Sequence, residues 1–205
     1  MKLKLGFSAI ELLVVIGIIV LLSTIVLTNL PRLNRQTRVN VTAEDILRTI
    51  RDARVRSVSI AEFAPNSGIF PSYGVFVERS GSQQVVLYAD CNIDDNGDNV
   101  IDENDDFTFD SSSSTNCLGT NGLVKRVPID SRVRISDIRK IVPPNPAVSQ
   151  DRVYVEFLRP EPSIWISDEN ESLLPLGHIE IDVSDSGETL TKTLYIRTTG
   201  HIEVK

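Results

Sequence analysis

Residues 10–30 read IELLVVIGIIVLLSTIVLTNL, and within them Glu11 is the only ionisable side chain. About 20 such residues at ~1.5 Å rise cross a hydrocarbon core of roughly 30 Å, so a helix here is long enough to span a bilayer. Lys2 and Lys4 stand before it, and the positive-inside tendency holds that end in the cytoplasm. A secretory signal peptide has a shorter apolar region, about 7–15 residues, with a small-residue cleavage site behind it. Here the one processing-like boundary, Gly6-Phe7, lies in front of the run. Glu11 sits one turn into the membrane, where a carboxylate costs roughly 2.5–3.5 kcal/mol on insertion scales. That cost marks it as a functional residue.

Gly6-Phe7-Ser8-Ala9-Ile10-Glu11 and the apolar run behind it resemble the class III signal of type IV pilins and type II secretion pseudopilins. The resemblance implies that a prepilin peptidase cuts between Gly6 and Phe7, methylates the new amino-terminal Phe7, and leaves the apolar helix attached. Ala9 departs from the leucine common at that variable site. An ordinary signal anchor has no reason to combine a Gly-Phe junction, a short basic leader and an intramembrane carboxylate. In an assembled pilus the apolar helices form the filament core, and Glu11 then pairs with the α-amino group of Phe7 on the same or a neighbouring subunit. An unpaired charge in that core is costly and a paired one much less so, which sets the axial register of an incoming subunit. Glu11 is on this reading an assembly device.

The division that follows is a leader at 1–6, a transmembrane and assembly helix at 7–30, an amphipathic continuation at 31–60, and a β-rich domain at 61–205. Pro31 removes one helical hydrogen bond and is expected to kink or interrupt the helix. Arg32, Arg35 and Arg38 mark the far membrane surface. Beyond them Val39, Ala43, Ile46, Leu47, Ile50, Ala53, Val58 and Ala61 recur at three- and four-residue spacings, predicting a helix to about Ser59 whose apolar face covers a sheet.

After the loop signal Pro65-Asn66-Ser67-Gly68 the period becomes strand-like, over 73–78, 85–90, 123–128, 133–142, 153–158, 163–167, 178–183, 189–197 and 201–204. One long helix followed by many short strands predicts an α+β fold with antiparallel sheet. The pieces LRTIRDARVRSVSI, YGVFVE, VVLYADCN, VYVEFLRP and LYIRTTGHIEV resemble the GspH/FimT group of minor pseudopilins and minor pilins. That resemblance implies a pilin-like architecture, with the long helix packed on antiparallel β-sheet.

The acidic stretch at 90–106 is the second informative segment. Asp94, Asn96, Asp98, the Val100 carbonyl, Asp102 and Asp105 fall at positions 1, 3, 5, 7, 9 and 12 of a twelve-residue calcium loop, with Ile101 at its apolar position. Asn99 replaces the usual glycine, and Asn enters the positive-φ region more readily than most residues. Asp105 replaces the usual closing Glu, as in dockerin-type loops, which this run also resembles. A register that begins at Asp90 or Asn92 and turns at Gly97 is the alternative. A solvated acidic loop is the bland reading, but so many carboxylates in one short loop repel without a cation. The expected role of Ca2+ is to order the loop.

Cys91 and Cys117 bracket this stretch and are expected to form a disulfide in an oxidising compartment, two buried thiols being the alternative. Zinc is disfavoured, because His178 and His201 lie far from the cysteines and no Cys-x-x-Cys spacing exists. The sequence holds no nucleophile elbow, phosphate loop or His-Glu-x-x-His, so no enzyme is expected and a membrane-anchored hydrolase is the remote alternative. A FimT-like DNA-uptake pilin is the nearer rival. A net charge of -7 and the nearly neutral end, Thr198 to Lys205, oppose the phosphate contacts it would need. The expected partners are other pilins or pseudopilins through the apolar helix, the prepilin peptidase, and inner-membrane lipid before assembly. The expected location is the inner membrane in a single pass, and then a periplasmic or cell-surface filament.

Overall fold

The structure, a computed structural model, describes residues 9–81, 83–91, 117, 122–158, 164–168, 174 and 176–205. Among these residues the chain is α+β. One long helix, α1 (Ala9–Val58), precedes ten strands. They are β1 (Ser72–Glu78), β2 (Val85–Asp90), β3 (Leu123–Val127), β4 (Val133–Ile141), β5 (Val148–Ser149), β6 (Arg152–Phe157), β7 (Ile164–Asp168), β8 (His178–Asp185), β9 (Thr191–Arg197) and β10 (Ile202–Val204). The chain divides into two compact units, Met1–Thr37 and Arg38–Lys205.

In the first unit the chain stays helical through Pro31, so the expected interruption does not occur. Proline removes the hydrogen bond to the Leu27 carbonyl, but one missing bond in a long ladder does not end it. Two hydroxyls along this stretch bond back within the helix. Thr24 Oγ1 donates to the Val20 carbonyl at 2.8 Å and Thr37 Oγ1 to that of Leu33 at 2.9 Å.

In the second unit the helix buries Val39, Ala43, Ile46, Leu47, Ile50 and Ala53, the face set by its three- and four-residue spacing. Val58, expected on that face, is 57% exposed; Ser57, four residues past Ala53, takes the buried position instead. Ile60 closes the end at φ 52°, a left-handed conformation that a β-branched residue rarely adopts. Two buried polar groups of this segment, Thr49 and Ser57, have partners. Thr49 Oγ1 donates to the Asp45 carbonyl at 2.8 Å, and the Tyr73 amide donates to Ser57 Oγ at 2.9 Å, tying the helix end to the start of β1.

The strands form two five-stranded sheets, ordered β3-β2-β1-β6-β7 and β10-β9-β8-β4-β5. Every pairing is antiparallel. Alternate residues of each sheet meet the helix in one core. The first sheet supplies Val75, Leu87, Val155 and Ile166 among others, and the second Ile138, Ile181, Val183 and Leu194. The β4–β8 register shifts between Ile135 and Asp137, which keeps both Ile135 and Ile138 in the core. The other face of the first sheet carries a second buried cluster, Phe76, Val86, Tyr88 and Tyr154, with the Phe76 and Tyr154 rings 5.1 Å apart. Gly74 belongs to this face because the Tyr88 ring lies over it. A Cβ at Gly74 would meet Tyr88 Cζ and the hydroxyl oxygen at 2.5 Å.

Ion pairs join the two sheets. Lys140 Nζ on β4 lies 2.7 Å from Asp168 on β7. Arg79, just past β1, holds Asp137 of β4 at 2.9 Å and Asp151 at 2.6 Å. The hydrogen bonds that Arg79 donates to Asp151, with the charges of Asp151 and Asp137, keep its guanidinium above its usual pKa, against the opposing effect of burial. Within the second sheet Arg139 bridges Glu180 at 2.8 Å and Asp182 at 2.9 Å.

Candidate functional site

Two features singled out by the sequence lie on described residues, the apolar helix with Glu11 and the cysteine pair. Helical backbone follows from the first of these directly. An uninterrupted apolar stretch satisfies its own amides and carbonyls only by winding into a helix when no water is at hand. From Ile10 to Leu27 every large apolar side chain is between 44% and 72% exposed, on all sides of the helix. No part of this stretch is buried within the chain itself, and it is long and apolar enough to cross a membrane. Glu11 stands in the first described turn, exposed, with Ile10 and Leu12 beside it and Val14 and Val15 one turn on. Carboxylates are absent from the rest of the helix until Glu44.

This arrangement offers a large apolar area and one charge. An exposed apolar rod gains free energy when lipid or other apolar helices cover it, at about 25 cal/mol per Å² removed from water. A single carboxylate within that area is costly to cover unless a cation pairs with it or it is neutralised.

Cys91, immediately after β2, and Cys117 are joined as a disulfide, their Cα atoms 5.4 Å apart and 26 residues apart in sequence. Cys117 is fully buried, with Sγ 3.5 Å from the Ala89 carbonyl, so the bond is fastened to the core side of β2. The expected pairing is therefore present. Gly6 and Phe7 lie outside the described residues, as do Asp94, Asn96, Asp98, Val100, Asp102 and Asp105. Among the described residues no group of three or more His, Cys, Asp or Glu is placed to hold a metal ion. The two histidines serve separate local contacts. His178 Nε2 lies 3.4 Å from Glu180, and His201 Nε2 lies 3.6 Å from Glu203.

Sequence reasoning missed a cleft where Arg48, Arg51, Asp52 and Val55 of α1 meet Lys125 of β3. Nothing local in the sequence signals it beyond two arginines three residues apart, because Lys125 arrives from a distant strand. No protein-family profile, curated protein or solved structure matches this chain.

Proposed function

We propose that this chain is a minor pilin or pseudopilin, a non-enzymatic subunit of a type IV pilus or a type II secretion pseudopilus. It enters the inner membrane in a single pass with its β-rich part outside the cytoplasm. Prepilin peptidase cuts it at Gly6/Phe7, and it then assembles with other pilins through its apolar helix. One observation carries the reading. A helix exposed and apolar on all sides holds a single carboxylate, Glu11, and the same helix further on is built into the core of two antiparallel sheets. A membrane anchor alone has no use for Glu11, whereas register in a helical filament core has. Residues 94–105 are proposed, on their sequence spacing, to bind a structural calcium ion.

The test uses the full chain expressed with a prepilin peptidase and its pilus or secretion partners. Mass spectrometry of the mature protein is expected to find Phe7, N-methylated, as the first residue. Glu11→Ala is expected to be cleaved and inserted normally yet depleted from sheared filaments about tenfold or more, since it leaves the Phe7 ammonium unpaired in an apolar core. Native protein beginning at Met1, or normal incorporation of Glu11→Ala, overturns the proposal.

A further inference from the structure

The cleft between α1 and β3 has a volume of about 350 Å³, within the range of binding pockets. Arg48 and Arg51 line it one helical turn apart, and Lys125 faces them from β3. Like charges at that helical spacing destabilise the helix slightly, so their placement is not explained by the helix itself. Among the described residues none of these three cations has an ion-pair or hydrogen-bond partner, although the chain carries 28 acidic residues against 21 basic ones. Their neighbours differ. Arg56 holds Asp52 at 3.2 Å, Arg38 holds Asp130 at 3.1 Å, and Arg126 is hydrogen-bonded to Gln84. Val55, 63% exposed, adds an apolar rim to the cleft.

We infer that this cleft docks an acidic segment of a partner protein, with carboxylates on Arg48, Arg51 and Lys125 and an aliphatic side chain against Val55. Three observations favour this occupant. Arginine presents a planar fork that matches a carboxylate, and two forks with an ammonium accommodate more than one acid. The apolar rim gives a polypeptide a contact that a bare inorganic anion does not use. The overall negative charge repels a long polyanion such as nucleic acid, while a short acidic segment feels mainly the local cations. The same face of a second copy is unsuitable, because it would set arginine against arginine. The inference goes beyond the filament proposal and stands without it, since every residue it uses lies in the unit Arg38–Lys205.

The experiment measures fluorescence anisotropy of a short labelled peptide alternating glutamate and valine, titrated with the full chain in a non-ionic detergent. Arg48→Glu/Arg51→Glu is compared with Lys192→Glu/Arg197→Glu, which makes the same change in net charge at another surface. Melting curves verify that each variant is folded, and Lys125→Gln provides a gentler second probe of the cleft. The first double variant is expected to weaken binding by about tenfold or more, Lys125→Gln by a smaller factor, and the control by no more than about twofold. Absence of peptide binding, equal loss in both double variants, or displacement of the peptide by equimolar inorganic phosphate or a single-stranded oligonucleotide would overturn the inference. In the last case the cations would form a general anion site, and in the first they would only guard the edge strand against pairing.

Discussion

Gly74→Ala adds one methyl group at a position where the fold has no room for it. Gly74 on β1 is directly opposite Tyr88 on β2, and the ring crosses the glycine closely enough that a new Cβ would meet Cε1 at 2.8 Å and Cζ at 2.5 Å. Ordinary carbon contacts lie near 3.5–4.0 Å, so the ring must move by about 1 Å. It has nowhere to go. Tyr88 is 1% exposed, packed with Phe76, Val86 and Tyr154, and its hydroxyl donates to Glu156 Oε2 at 3.4 Å. Overpacking of this kind costs about 1–3 kcal/mol. The alanine returns about 0.4–1 kcal/mol by restricting the unfolded chain, leaving a net loss of roughly 1–2 kcal/mol. In a domain of this size that lowers Tm by about 2–8 °C.

The assay is thermal unfolding of the full chain in mild detergent, followed by near-ultraviolet circular dichroism. A double-mutant cycle with Tyr88→Leu isolates the contact. In the Tyr88→Leu background the clash is gone, so Gly74→Ala should be neutral or slightly stabilising, and the sign of its effect should reverse. A wild-type-background Gly74→Ala that melts at or above the parent temperature would refute the packing argument. So would a loss of the same size in both backgrounds.

Ile60→Gly should stabilise the chain by about 1 kcal/mol, read as a higher Tm, because it relieves a β-branched residue held at φ 52° at the helix end. Ile60→Ala should give much less. Replacing both cysteines of the Cys91–Cys117 bond by alanine should cost roughly 3–4 kcal/mol by loop-closure entropy for the 26-residue separation, measured by urea unfolding under oxidising conditions. If residues 94–105 bind calcium with a Kd in the ~10⁻⁴–10⁻³ M range of extracellular modules, metal at ten times that value should add about 1.4 kcal/mol. Chelator should then lower Tm, and Asp98→Ala should abolish the response.

The helix and most strands were legible because their signals are local. The core face at Val39, Ala43, Ile46, Leu47, Ile50 and Ala53 follows from helical spacing alone, and the boundaries of β2 follow from the apolar run Val85 to Ala89. The two-residue strand β5 was not legible. It lies just past the proline-rich stretch and exists only because Arg139 and Lys140 of β4 offer a pairing edge. Nor could spacing show that β6 would lie beside β1, or that β4 and β8 would pair while β1 and β2 form another sheet. Those choices depend on non-local contacts. Strands β1 and β2 are buried along their whole length, so polar alternation could not announce which residues face the helix. Glu156, 1% exposed near the end of β6, reads in sequence as an outward-facing charge and is instead buried near Tyr88. Of the residues proposed to function, Glu11 is evident from its isolation. The Arg48, Arg51 and Lys125 cleft is not, because helix and strand meet only after folding.

The ties between Lys140 and Asp168 and between Arg79 and Asp137 bear on how the domain carries load. Both end on β4, and they reach the other sheet at different strands, one at β7 and one just past β1. A sliding force between the sheets would therefore have to stretch two charged contacts together, in addition to shearing the apolar layer they border. Asp168 is 4% exposed, so its contact is poorly replaced by water as it lengthens. Resistance to shear should thus rise steeply over the first ångström or two of displacement. Under tension the two sheets would then respond as one stiff block, and extension would be taken up elsewhere in the chain.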